Sequence, residues 1–144
     1  MQIRHGGDRA YYAPSIDQIW LPQHAQFRDS ESYYAVLVHE LVHWTGAKHR
    51  LNRQFGERFG DAAYAFEELV AELGAAFIAA QVGLSLALRP DHAAYIASWL
   101  NVLEQDPRAI QTAAAKAQQA IDFICHFSAN EAAQPEPYPL LALA

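Results

Sequence analysis

A single cysteine, Cys125, stands among the 144 residues of the chain. One thiol excludes an intramolecular disulfide, and with it the cross-linked scaffolds of small secreted proteins; it also excludes zinc sites built from several thiolates. No apolar run nears the roughly 20 residues that a membrane-spanning helix requires. The opening MQIRHGGDRA has no apolar segment of the signal-peptide kind. Positive charge is scarce as well, since 10 Lys and Arg against 16 Asp and Glu leave a net charge of −6. That balance argues against nucleic acid or an anionic membrane as the main partner of this chain. The expectation is a soluble, cytoplasmic protein.

What the chain does have is apolar residues, 52% of the total, with alanine prominent among them. Such a composition favours helices packed closely on one another, and the length suits one domain with its own core. The fold expected is α+β, mainly α, with a short antiparallel hairpin followed by about four helices. The hairpin is read from residues 8–21, where Tyr11 and Tyr12 end at Pro14, and Ile16, Gln18 and Trp20 alternate with Asp17 and Ile19 before Pro22. From residue 29 the period changes to that of a helix. Asp29 or Ser30 caps it, Glu31 sits in its first turn, and Gly46 marks its stop. A charged loop runs to Asp61. A second helix follows in AAYAFEELVAELGAAFIAAQVG, with Phe66, Leu69, Val70, Leu73 and Phe77 as its core stripe and Ala71, Gly74, Ala75 and Ala79 allowing close approach. Pro90 and Asp91 announce a third helix with Tyr95, Trp99 and Leu103 facing inward. Asp106 and Pro107 start a fourth, whose stripe is Ile110, Ala114, Ala117, Ile121 and Ile124. Cys125 falls in that apolar run and reads as a buried, inert thiol. The domain is placed at residues 1–127, and the proline-containing segment 128–144 as an extended or disordered tail.

The chemistry concentrates in YYAVLVHELVHWTGAKHR, residues 33–50. Residues four apart on a helix lie one above the other, so His39 and His43 project from one face and can share one ion. Glu40, about 100° around the helix, can reach a water at that ion without becoming a ligand. Two imidazoles and a carboxylate so arranged suit zinc-assisted hydrolysis, with Glu40 as the proton acceptor. The flanking YYAVLV places the helix in the interior. A third ligand must come from elsewhere, and His49, His92 and His126 are the histidines downstream. HELVHWTGAKH has the form HExxHxxGxxH, which would make His49 the ligand. The competing source is the second helix, where Glu68 and Glu72 share a face: one carboxylate can bind the metal while the other orients a metal-bound histidine. Glu67 is expected to face solvent.

Together with HGGDRAYYAPSIDQIWLP, YAFEELVAELGAAFIAAQVG, YIASWLNVLEQDPRAI and AAAKAQQAIDFI, this stretch resembles the zincin-like metallopeptidase domain of ArdC-type antirestriction proteins, TraC-type primases and phage polyvalent proteins. The likeness covers roughly residues 4 to 127. It implies a gluzincin-type site with His39 and His43 as zinc ligands, Glu40 as general base and Glu68, ahead of Glu72, as third ligand; His49 becomes the minor alternative. Family members also join such a domain to an N-terminal domain that binds single-stranded DNA, and the hairpin here follows Met1 directly, so that domain is expected to be absent and DNA binding by this chain is not expected.

The function expected is therefore that of a zinc-dependent peptidase acting on a protein or peptide, with a restriction enzyme as one candidate substrate. Tyr12, Tyr64 and His49 are candidates for stabilising an oxyanion. The competing expectation is antirestriction by binding, in which the domain docks on a restriction enzyme or DNA and its zinc is structural or vestigial. A zinc deaminase requires H-x-E with P-C-x-x-C, which one cysteine cannot supply.

Overall fold

A computed structural model of the chain describes residues 1–56, 62–84 and 92–132. The expected hairpin is present as β2 (Tyr11–Ala13) and β3 (Gln18–Leu21), paired antiparallel with Tyr12 opposite Ile19. A strand that the sequence reading missed, β1 (Gln2–His5), adds to β3 in parallel, giving a three-stranded sheet of order β1-β3-β2. Only Ile3 in β1 faces the core, opposite Ile19, so the segment lacks the apolar alternation that betrays a strand. The inner row of β3 is Ile19 and Leu21, both fully buried, while Ile16 lies exposed beyond the strand. These inner residues pack with Tyr33 and Trp44 of the first helix and with Phe123 and Phe127 of the last.

Between β2 and β3, Asp17 holds a left-handed backbone, φ 52°, that aspartate tolerates better than most residues. Its carboxylate accepts from Tyr12 Oη at 2.8 Å and pairs with the Arg50 guanidinium, which also donates through Nε to the Trp44 carbonyl and lies 4.0 Å over the Trp44 ring. The Arg50 hydrogen bonds hold the Asp17 carboxyl down at about 2. Arg50 thus ties the tip of the hairpin to the end of the first helix.

That helix, α1 (Ser30–Thr45), has the boundaries its caps dictate. Asp29 Oδ1 accepts from Ser32 N at 2.7 Å, and Glu31 occupies the first turn. Gly46 closes the helix without a left-handed backbone, since its φ is −76°. Glycine is needed there for space: a Cβ would come 2.8 Å from Phe55 Cζ and 2.9 Å from Arg53 Nη2.

Three more helices complete the fold: α2 (Ala62–Val82), α3 (His92–Gln105) and α4 (Ala109–Ala132). The central helix is α2, packed on α1, α3 and α4. Its deepest positions include Leu69 and Val70 together with the small Ala71, Gly74, Ala75 and Ala79, while Phe66, Leu73 and Phe77 border the core. Alanine recurs on the facing stripe of α4, where Ala109, Ala113, Ala117, Ala120 and Ile121 are buried. Ala117 and Ile121 are the expected members of this stripe, but at its start Ala109 and Ala113 replace the expected Ile110 and Ala114, leaving Ile110 exposed. Cys125 is exposed, against the expectation of a buried thiol. Trp99 and Ile124 pack against the core as expected. The Pro90–Asp91 start signal, the Tyr95 side chain and residues 133–144 lie outside the described residues, and α4 itself continues past Ser128 to Ala132. Among the described residues no helix is long and apolar enough to cross a membrane.

α1 lies close against α2 at Gly74, where a Cβ would stand 2.7 Å from Cγ2 of the fully buried Val42. Gly74→Val is expected to destabilise the fold by about 1–3 kcal/mol in urea-induced unfolding. Combining it with Val42→Ala should recover part of that loss; simple additivity of the two changes would show that the helices do not meet at this point.

Candidate metal centre

Close contact at Gly74 lays the middle of α1 against the first half of α2, so the polar residues of each helix face one another across a buried seam. His39, Glu40 and His43 come from α1, and Glu67, Glu68 and Glu72 from α2. His39 Nε2 lies 3.1 Å from His43 Nε2; Glu68 approaches them at 3.5 and 3.3 Å respectively. The two Glu68 distances run to different oxygens, Oε2 to His39 and Oε1 to His43, so the carboxylate straddles the imidazole pair, and the three donors are close enough together to share one ion. Among the described residues they are the group of His, Cys, Asp and Glu side chains whose donor atoms converge in this way, all within 4.8 Å of one another.

The far nitrogens of both rings meet carboxylates. His39 Nδ1 is 3.1 Å from Glu72 Oε1, and His43 Nδ1 is 3.2 Å from Glu67 Oε1. The His43–Glu67 contact is a hydrogen bond, and since a carboxylate only accepts, it places the His43 ring proton on Nδ1 and leaves the Nε2 lone pair aimed at Glu68 and the other imidazole; the His39–Glu72 approach is an ion-pair contact without hydrogen-bond geometry. Three electron-rich atoms thus converge on one point, which requires either a cation or extra protons. Burial opposes charge on both rings, but the carboxylates outweigh it: bonds to Glu67 and Glu68 push His43 up to about 10, and Glu68 and Glu72 raise His39. Burial likewise favours a neutral Glu68, yet the hydrogen bonds from His39 and His43 hold its carboxyl far below the usual range. The donor set fits a divalent cation.

Glu67 is where the sequence expectation fails. It is 2% exposed, and Arg53 donates from Nη2 to its Oε1 at 2.9 Å and from Nε to its Oε2 at 3.0 Å. A charge expected in water is instead matched by a partner that the linear sequence does not advertise. The signal available was phase: Glu67 lies four residues before Ala71 and seven before Gly74, on the small-residue face that packs closest to α1. Arg53 itself, in the loop after α1, was not singled out.

His49 does not join the cluster. The helix ends at Thr45, and the turn beyond it leaves His49 exposed beside Asp17, 3.6 Å from its carboxylate, so the HExxHxxGxxH spacing does not produce a third imidazole at the site. His126 is exposed on α4, and the His92 side chain lies outside the described residues. Glu40 is buried at the floor of a cleft of about 720 Å³ that also exposes His39, His43 and Glu68. Tyr11 and Tyr12 of β2 form one wall, with Phe27, Val36, Phe55 and Tyr64 among the other lining residues. The Tyr12 hydroxyl is bonded to Asp17 and Arg50 and, through burial and then the Asp17 bond, is raised to about 12; it serves the hairpin clamp.

Comparison with known proteins accords with this geometry. Residues 1–116 match the family model described as zincin-like metallopeptidase, and the chain belongs to that family. It is 54% identical over 136 residues to the protein y4eC of Sinorhizobium fredii, covering 94% of this chain and 44% of that one. It is 43% identical over 130 residues to the DNA primase TraC of Escherichia coli, covering 90% of this chain and 12% of the primase. The crystal structures of the antirestriction protein ArdC from plasmid R388 superpose on it with TM-scores of 0.78 for the metal-free and 0.80 for the Mn(II)-bound form, at 44% identity over 90% of this chain and 47% and 48% of those chains. The chain spans less than half the length of these relatives.

Because the imidazoles bind protons tightly when no cation is present, a divalent ion must displace them. Its apparent affinity is expected to strengthen by up to about tenfold per pH unit for each proton displaced, from pH 6 towards the value of about 10 at which His43 loses its proton unaided. Titration with Zn2+ or Mn2+ at several pH values tests this, and an affinity that is flat between pH 6 and 9 would contradict the donor assignment.

Proposed function

We propose that this zincin-like domain is a metal-dependent peptidase with His39, His43 and Glu68 as its metal ligands and Glu40 as its general base, and that the metal is zinc. The observation that carries the reading is the convergence of the His39, His43 and Glu68 donor atoms within 4.8 Å of one another in the lining of an open cleft, beside a buried carboxylate, Glu40, that metal binding alone does not require. Two histidines and a glutamate with one position left open form a familiar ligand set of catalytic zinc. The same nitrogen and oxygen donors accept Mn(II), the ion in one crystal structure of the ArdC relative. A divalent cation held there supplies Lewis acidity, which makes a water more acidic and a carbonyl more electrophilic.

The residues of the chain do the rest. Glu40 accepts the proton of the attacking water and delivers it to the leaving amine. Its burial keeps competing solvent away from the carboxylate, and its place one residue after His39 keeps it out of the ligand set. Glu72 stands 3.1 Å from the far nitrogen of His39 and offers that ring a negative charge behind the metal-binding side. β2 is an end strand of the sheet and borders the cleft, so an extended peptide can add along its free edge and lie across the site. The substrate class is accordingly a protein or peptide in extended conformation, and the antirestriction context of the ArdC relative makes a restriction enzyme the first candidate.

A second reading draws on the same relative: the domain opposes restriction by docking on a restriction enzyme or on DNA, with the metal in a structural role. The net charge of −6 weighs against DNA as the docking partner of this chain alone. The two readings separate at Glu40. Glu40→Gln is expected to bind about one equivalent of metal with affinity close to that of the wild type, and to lose at least about 10²-fold of the hydrolysis of a generic unfolded substrate. If both proteins bind metal and neither cleaves that substrate or a restriction enzyme, the docking reading replaces the hydrolytic one.

A further inference from the structure

Beneath His43 lies a second set of charges that the hydrolytic chemistry does not use. Glu67 contacts the ring at Nδ1, the nitrogen facing away from Glu68. Arg53 spends its guanidinium on that neighbourhood, with Nε and Nη2 on the Glu67 carboxylate, Nη1 on Thr45 Oγ1 at 2.8 Å and Nη2 also on the Val42 carbonyl. Arg53 and Glu67 are both buried, with 9% and 2% of their surface exposed. The guanidinium fits only because Gly46 has no side chain, since a Cβ there would stand 2.9 Å from Nη2. Glu67, Arg53, Thr45 and Gly46, all outside the HELVH stretch, are thus committed to the surroundings of one ring nitrogen.

We propose that Glu67 and Arg53 are positioning residues that set how tightly His43 holds the divalent cation. The inference rests on reading His39, His43 and Glu68 as a metal centre. As an ionised acceptor, Glu67 keeps the ring proton on Nδ1 and the Nε2 lone pair free, and its negative charge strengthens that lone pair as a donor. The two-pronged contact from Arg53 fixes the plane of the carboxylate, and the bonds to Val42 and Thr45 fix Arg53 against the end of the helix that carries His43. Metal affinity is in this way set partly by the loop after α1.

The test is zinc affinity by chelator competition, compared with unfolding in urea, for the wild type, Glu67→Gln, Arg53→Lys and the double variant Arg53→Met/Glu67→Gln. Removing both charges together avoids leaving either one buried alone, so the double variant is expected to unfold close to the wild type. Its zinc affinity should nevertheless be weaker by about 10- to 100-fold, with Glu67→Gln in the same range and Arg53→Lys between the two. A folded double variant whose zinc affinity lies within twofold of the wild type overturns the proposal and leaves the metal centre standing. A wild type that binds no zinc overturns the metal centre and the proposal together. Should the double variant fail to fold, Arg53→Lys decides: wild-type affinity overturns the proposal, and intermediate affinity supports it.

Discussion

Charge removed from water must be matched by charge, and the contact between α1 and α2 is arranged around that requirement. Glu40, Glu67 and Glu68 are buried with His39 and His43 where helix packing alone would favour alanine and leucine. The closeness of the helices makes the arrangement workable. With Gly74 pressed on Val42, the imidazoles of one helix come within about 3.5 Å of the carboxylates of the other, near enough for each charge to replace some of the water its partner has lost. A larger residue at position 74 would part the helices at the place where the donors converge. The small-residue seam is therefore as much a part of the site as the ligands, although it carries no chemistry.

The buried charges fall into two groups that are balanced differently. Glu67 has its counter-charge in the guanidinium of Arg53, 2.9 Å away. Glu68 has only the two histidines, whose charge depends on what occupies the space between them. Protons can fill that space, which is why His43 is raised so far, but two positively charged rings 3.1 Å apart repel each other. One divalent ion at the centre replaces that repulsion with attraction to every donor at once. The site is thus built to be incomplete without a cation, whereas the Arg53–Glu67 pair beside it is complete without one.

Much of this was legible in the sequence, and the reasons differ by residue. The span of α1 followed from Asp29, Glu31 and Gly46, because helix ends are set by local hydrogen bonding that one short stretch determines. Helical spacing put His39 and His43 on one face and offered Glu68, Glu72 and His49 as alternatives for a third donor; the preference for Glu68 came from the family resemblance. The parallel strand β1 was hidden because its partner lies 16 residues away and its alternation is weak. The start of α4 differs from the stripe its isoleucines suggest, with Ala109 and Ala113 inside and Ile110 outside, while Ile121 and Ile124 pack as their period indicates. Glu67 differs because nothing in its own helix advertises its counter-charge, Arg53, which lies 14 residues before it.

The misread residues share one physical cause. Binary patterning assigns a face to each residue by its own polarity, but the seam of glycine and alanine brings flat carboxylates and imidazoles into the interior beside the apolar Val42, Leu69 and Val70. Polar groups then enter the interior wherever the opposite helix supplies a partner, and bulky apolar groups move to the borders, as Phe66, Leu73 and Phe77 do. The metal centre and the Arg53–Glu67 pair occupy the same seam as the alanines for this reason. A helix such as α2, whose most buried face reads Glu67, Glu68, Ala71, Gly74 and Ala75, is recognisable as a site-bearing helix by the combination of acid and small residue on one face. Either feature alone would describe an exposed helix or an ordinary close-packed one.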